Sequence, residues 1–260
     1  MQRAVLNGWD IAFDDVGSGP VLFLIHGLLM DHTMFAPQVD TLRDRYRLIT
    51  PDLRNHGDSE SRAESHTQWD AVEDAIALCN KLDIESAIFG GVSQGGFQSL
   101  RLALKYPDRV AGLILIETQA GAEDPTLVPI YEGMSEVVAA EGWNDFILDS
   151  VAALLFGTSA SDDLKNHWIE RWRKMNAKHA MQTLQAVTRR DDVSSRLSEI
   201  TAPALVIHGL EDAAISMDRA QATADGLKGL VQFVKLEHAG HSATVEQPDL
   251  VNEAIVRFLR

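Results

Sequence analysis

Six short apolar runs alternate with helical patterns along most of this chain, and that alternation constrains the fold more than any other feature. The runs cover residues 21–25, 47–50, 86–90, 111–116, 204–207 and 231–236. They are rich in β-branched residues, nearly continuous, and bounded by Gly, Pro or charge. A strand exposed on one face alternates apolar with polar residues; a continuous run belongs to a strand covered on both faces. Between the runs, residues 69–82 place Val72, Ile76, Cys79 and Leu82 on one helical stripe. Residues 94–106 carry Phe97, Leu100 and Leu104 and stop before Pro107. Residues 35–43 and 248–259 form two further helices, each with a proline in its first turn. Strand–helix alternation predicts an α/β fold around a mostly parallel sheet. Residues 4–7 and 9–14, split by Asn7-Gly8, predict a hairpin at the sheet edge.

One stretch departs from this rhythm. Residues 119–200 hold no strand pattern and give four helical ones, at 132–140, 143–156, 162–174 and 177–189. Such an insertion predicts a helical lid over the carboxyl ends of the strands. The expected organisation is a core of residues 1–118 and 201–260 carrying a lid of residues 119–200.

The 260 residues carry a net charge of −15. A nucleic-acid backbone is therefore an unfavourable partner, because both surfaces would be negative. The single cysteine, Cys79, falls on a helical stripe and is expected in the core. No apolar run approaches the ~20 residues needed to cross a bilayer, and residues 1–8 lack the apolar stretch of a signal peptide. A soluble, cytoplasmic protein with a small-molecule substrate and no membrane partner is expected. Oligomeric state is not encoded in any pattern here.

The chemistry concentrates at Gly91-Val92-Ser93-Gln94-Gly95, followed by Gly96. This G-x-S-x-G pattern stands between a predicted strand and a predicted helix, the context of a nucleophile elbow. The chain must reverse there so sharply that side chains two before and two after the serine would collide. A serine hydroxyl needs a base to become a nucleophile at neutral pH. Among nine histidines, His241 in Ala239-Gly240-His241-Ser242 follows the last strand, at the same edge as the elbow; His238 is its near competitor. The base needs an acid to fix its tautomer. Asp212 follows the strand at 204–207, with Glu211 adjacent and Glu117 at the end of an earlier strand as alternatives. A tetrahedral intermediate needs oxyanion donors. The amide of Gln94, next to the nucleophile, is one; the amide of Leu28, in His26-Gly27-Leu28-Leu29 after the first core strand, is the expected second. His26 is read as a structural hydrogen-bonder, and Arg54 and Asp58 as a scaffold pair.

Together, His26-Gly27, residues 52–59 (DLRNHGDS), the elbow at Ser93, Gly209-Leu210-Glu211-Asp212 and Gly240-His241 resemble the α/β-hydrolase superfamily over nearly the whole chain. Within it the chain looks most like small lidded carboxylesterases and 3-oxoadipate enol-lactonase-like hydrolases. The resemblance implies an eight-stranded, mostly parallel sheet with helices on both faces, and no cofactor or metal. Two departures stand out: Val92 occupies a place often held by histidine, and Asp212 lacks the proline often found four residues later. A serine at the elbow, where related dehalogenases and epoxide hydrolases carry aspartate, suits attack on a carbonyl carbon.

The expected activity is hydrolysis of a small carboxylic ester or lactone through an acyl-enzyme. Alternatives are a carbon–carbon bond hydrolase of ring-cleavage products using the same triad, and a non-hydrolytic signalling or receptor member of the fold. Substrate contacts are expected from Trp143, Phe146, Trp168 and Trp172 in the insertion. A carboxylate-bearing lactone would want one of the bases near Arg171, Arg173 and Lys174 facing inward.

Overall fold

The computed structural model describes residues 1–260. Its centre is one eight-stranded sheet, built from β1 (Gln2–Leu6), β2 (Trp9–Gly17), β3 (Val21–Ile25), β4 (Arg47–Pro51), β5 (Ala87–Val92), β6 (Val110–Ile116), β7 (Ala204–Gly209) and β8 (Leu230–Leu236). The strand order is β1-β2-β4-β3-β5-β6-β7-β8. β1 pairs with β2 and β2 with β4 antiparallel; every other pairing is parallel. The hairpin expected at Asn7-Gly8 forms, with both residues at positive φ.

Period-2 alternation divides the strands' apolar side chains between two cores. Leu22, Leu24, Leu48, Ile114, Leu205 and Ile207 face one way, joined by Leu42 of α1 (Ala36–Leu42) and by Val251 and Ile255 of α10 (Pro248–Phe258). Phe23, Ile25, Ile49, Phe89, Leu113 and Val206 face the other, joined by Val72, Ile76 and Cys79 of α2 (Gln68–Lys81) and Leu100 of α3 (Gln94–Lys105). Both faces are therefore covered, as the continuous apolar runs require. Burial pushes the Cys79 thiol up to about 12, which keeps it an inert core residue.

Between β6 and β7 the chain forms α4 (Val128–Glu141), α5 (Asp145–Leu155), α6 (Asp162–Trp172) and α7 (Ala177–Thr188). Their buried residues, among them Val138, Leu148, Val151 and Trp172, are continuous with the first core. α8 (Met217–Gly226) and the short α9 (Ala243–Glu246) complete the fold. α8 gives no sequence signal because its buried positions are Ala220, Thr223 and Ala224, which make no apolar stripe.

One expectation is corrected here. Arg54 does not pair with Asp58. Its guanidinium forks onto Asp74 of α2, at 2.6 and 2.8 Å. Gly57, at φ +50, wraps the turn around the Asp52 carboxylate, so that the Asp58 amide points inward to Asp52 at 2.8 Å and the Asp58 side chain is exposed.

Candidate active site

The elbow joins β5 directly to α3. Ser93 has φ +54 and ψ −113, a conformation that costs a non-glycine residue about 1–3 kcal/mol. The surroundings hold it there. Its N–H donates to Ile116 O at 2.9 Å. Its carbonyl accepts from Thr118 Oγ1 at 2.8 Å and from the Phe97 amide at 3.0 Å. A Cβ on Gly91 would lie 2.6 Å from both Gly95 Cα and Ile25 O, and one on Gly95 would lie 2.7 Å from the Ile25 carbonyl carbon. The glycines thus make room for β3 as well as for each other. Gly95→Ala is expected to destabilise the fold by about 3 kcal/mol or more, because the opposing atoms are sheet backbone. An unchanged urea midpoint would contradict that reading.

The loop after β3 faces the elbow. Leu29 sits at φ +62 and is held from three sides. Its amide donates to His56 Nε2 at 3.1 Å, its carbonyl accepts from Trp172 Nε1 at 2.8 Å, and the neighbouring Asp31 accepts from Arg171 Nε at 2.9 Å. Burial, then the neighbouring His26, pushes His56 down to about 3, so it stays neutral and can accept. His26 accepts from the Leu53 amide at 2.9 Å through Nε2, and its Nδ1 meets Gly27 O at 2.8 Å. Nε2 thus ties this loop to the one after β4, while Nδ1 stays within its own loop. Leu28 lines the same cavity as Ser93, and Gln94 is the first residue of α3, where the helix amides point outward.

His241 Nδ1 lies 2.8 Å from Asp212 Oδ2. Asp212 Oδ1 accepts from the amides of Ala214 and Ile215 at 2.8 and 2.9 Å. Burial pushes the Asp212 carboxyl up, but His241, His208 and these amides together hold it below the ordinary carboxylate range. Asp212 is thus a preorganised anion without the proline, since two amides of the following turn fix its carboxylate. With Nδ1–H directed at Asp212, His241 Nε2 is free to act as a base. His241 and Ser93 line one cavity. The competitors lie elsewhere. The His238 side chain is 70% exposed and 3.3 Å from Glu211. Glu211 accepts from the Thr158 amide and hydroxyl at 2.7 and 2.9 Å. Glu117 is buried behind Asp212.

Sixteen of the 19 residues that line the cavity are hydrophobic. Tyr131, Met134 and Val138 of α4 present one stripe into it, at spacings of three and four that are readable in the sequence. Leu154 of α5, and Met181 and Leu184 of α7, close it from other sides. Of the expected contact residues, Trp143 lines the cavity, anchored by Nε1 donating to Met175 O at 3.0 Å. The other three are corrected. Phe146, in the first turn of α5, is 77% exposed, because the helix turns Ile147 and Val151 inward instead. Trp168 and Trp172 are fully buried in the core at i, i+4 on α6, and Trp172 spends its indole N–H on Leu29. No lysine or arginine lines the cavity. Arg171 pairs with Asp31, and Arg173 pairs with Asp145 at 2.6 Å. The one ionisable carboxylate in the wall, Glu123, is neutralised by Arg190 at 2.9 Å.

Two clusters bring potential metal-ligand atoms within 4.8 Å of one another: Asp31, His32 and Asp52, and Glu117, His208 and Asp212. Asp52 is engaged by His32 and by the Asp58 amide, and Asp212 by His241, so both sets are knitted into the protein's own hydrogen bonds. No helix is long and apolar enough to cross a membrane.

This fold and this strand-edge cavity define an α/β hydrolase. Residues 20–248 match the family model described as the alpha/beta hydrolase fold, and the chain belongs to that family. It is 27% identical over 248 residues to 3-oxoadipate enol-lactonase 1 of Acinetobacter baylyi, covering 94% of this chain and 90% of that one. Among solved structures, a thermophilic esterase from Thermogutta terrifontis is 32% identical with a TM-score of 0.87, covering 100% and 98% of the two chains. The enol-lactonase from Burkholderia xenovorans LB400 is 25% identical with a TM-score of 0.91, covering 99% of each.

Proposed function

We propose that this hydrolase cleaves a small, uncharged and largely apolar carboxylic ester or lactone through an acyl-enzyme on Ser93. The observation that carries the reading is the His241–Asp212 hydrogen bond at 2.8 Å beside a cavity that also receives Ser93. His241 Nε2 takes the hydroxyl proton as Ser93 Oγ attacks the carbonyl carbon. The amides of Gln94 and Leu28 hold the oxyanion that develops. Asp212 stays ionised and stabilises the imidazolium. His241 then protonates the leaving alkoxide, and the same base activates water to release the acid. Nothing in this sequence of steps calls for a metal or cofactor. Helices α4–α7, within residues 119–200, act as the lid that sets substrate shape.

The esterase and enol-lactonase likenesses support an ester or lactone bond. The wall chemistry supports the uncharged class. A carboxylate on the acyl group would enter a cavity without a cation, and an uncompensated buried charge costs several kcal/mol. With p-nitrophenyl esters, a neutral acyl chain is expected to exceed its ω-carboxylate counterpart by about 100-fold or more in kcat/KM. Equal turnover of the two would remove the uncharged assignment. Selective turnover of a dienol-type diketone, with none of simple esters, would replace ester by carbon–carbon hydrolysis.

A further inference from the structure

β6 delivers a second carboxyl to the place where the loop after β7 delivers Asp212. Glu117 follows β6 at φ +45 and is fully buried. Its only hydrogen-bond donor is one amide, that of Gly209, shared between its two oxygens at 2.9 Å each. An ionised carboxylate at such depth requires several donors or a cation. Asp212, by contrast, has the amides of Ala214 and Ile215 and the imidazole of His241.

His208 of β7 does not supply the missing donor. It is also fully buried. Its Nε2 lies 2.9 Å from the carbonyl oxygen of Ile215, which can only accept, so Nε2 carries a proton. Its Nδ1 makes no hydrogen bond although Glu117 Oε2 lies 3.1 Å away, because that oxygen sits off the direction of the ring nitrogen's lone pair. The ring therefore supplies Glu117 with no proton, and the Gly209 amide remains its single donor. The other ionisable groups nearby add no cation. Asp212 and Glu246 of α9 are acids, Glu246 being held by the amides of Gly157, Gly240 and Ser242, and His241 serves Asp212. Burial first, and the Asp212 charge second, push the Glu117 carboxyl well above the ordinary range, while burial pushes His208 below the ordinary imidazole range.

We infer that Glu117 is held as the carboxylic acid at neutral pH and acts as a positioning residue that leaves Asp212 the sole anion behind His241. The role rests on the serine-hydrolase reading; the protonation state does not. A second carboxylate at this place would favour imidazolium at His241 and weaken it as a base. A neutral Glu117 supports Asp212 from behind without that effect.

Three measurements test this. Wild type and Glu117→Gln are unfolded in urea from about pH 4 to pH 8. Folded Glu117 keeps a proton that the unfolded chain loses near 4.5. The folding constant of the wild type should therefore fall about tenfold per pH unit relative to the glutamine variant above that point. Parallel curves would overturn the inference. Infrared spectra of the wild type at pH 8 should hold a protonated-carboxyl band that moves with ¹³C-glutamate labelling and is missing from Glu117→Gln. Its absence from the wild type overturns the inference even if no variant folds, and its persistence in Glu117→Gln assigns it to another glutamate and overturns it too. In kinetics, Glu117→Ala should lower kcat about tenfold or more, with the glutamine variant restoring it and leaving the acid limb of the pH profile in place. A downward move of that limb by about one pH unit in Glu117→Gln, or an alanine variant at full kcat, would sink the positioning role. If the chain cleaves no ester, the stability and infrared results still stand, so the two failures are distinguishable.

Discussion

Replacing Ser93 with alanine is expected to reduce kcat/KM for a neutral p-nitrophenyl ester by about 10⁴–10⁶-fold while leaving the fold intact. The loss is large because the hydroxyl oxygen is the atom that forms the acyl bond, and nothing else in the cavity wall substitutes for it. Glu123, the only carboxylate there, is committed to Arg190. The fold should survive because every hydrogen bond that holds the elbow uses backbone atoms of residue 93: its amide to Ile116 and its carbonyl to Thr118 and Phe97. Alanine keeps these and meets the same positive-φ strain as serine. A melting curve beside the ester assay separates chemistry from folding. Retained turnover in a well-folded variant would refute the acyl-enzyme.

Asp212→Asn is expected to cost about 10³–10⁴-fold in kcat, with little change in KM. The oxygen that accepts from Ala214 and Ile215 can stay. The atom facing His241 Nδ1 then becomes an NH₂ donor, so the imidazole must present a lone pair to it and carry its proton on Nε2. That tautomer donates toward Ser93 where it must accept. Glu211→Gln, whose carboxylate binds Thr158 instead, should lose no more than a few-fold. If the two variants exchange these outcomes, the acid belongs to position 211. The sign of the pH effect follows from Asp212 being held below the ordinary carboxylate range. Its ionised form stabilises the wild type above about 3.8, and this contribution is lost as pH falls through the depressed folded value. The stability gap between wild type and Asp212→Asn should therefore narrow in acid.

The parts legible in the sequence are those whose physics is local. The strands announce themselves through β-branched runs, and the elbow through glycines that no side chain can replace. The meeting of Asp212 with His241 is foreshadowed because each follows a strand at the sheet edge that the elbow also occupies. The walls of the cavity were not, because they depend on which face of each helix turns inward. Aromatic content pointed to Phe146, Trp168 and Trp172, whereas the first faces water and the other two fill the core. The stripe of Tyr131, Met134 and Val138 was visible as helical spacing but gave no sign of what it faced. Glu117 stands in the sequence as an alternative acid; its closeness to Asp212 and His208 exists only once β6 and β7 lie side by side. α8 stayed hidden because small residues pack as well as large ones where helix and sheet come close.

α6 contributes no side chain to the cavity wall, yet Arg171 and Trp172 at its end grip Asp31 and Leu29. The roof is thus split between a fixed pillar and replaceable panels. On the acyl-enzyme reading proposed above, selection, natural or in the laboratory, can recut α4, α5 and α7 to admit new acyl groups without disturbing the anion cradle. A change in the pillar would instead loosen the loop that bears Leu28 and slow every substrate alike.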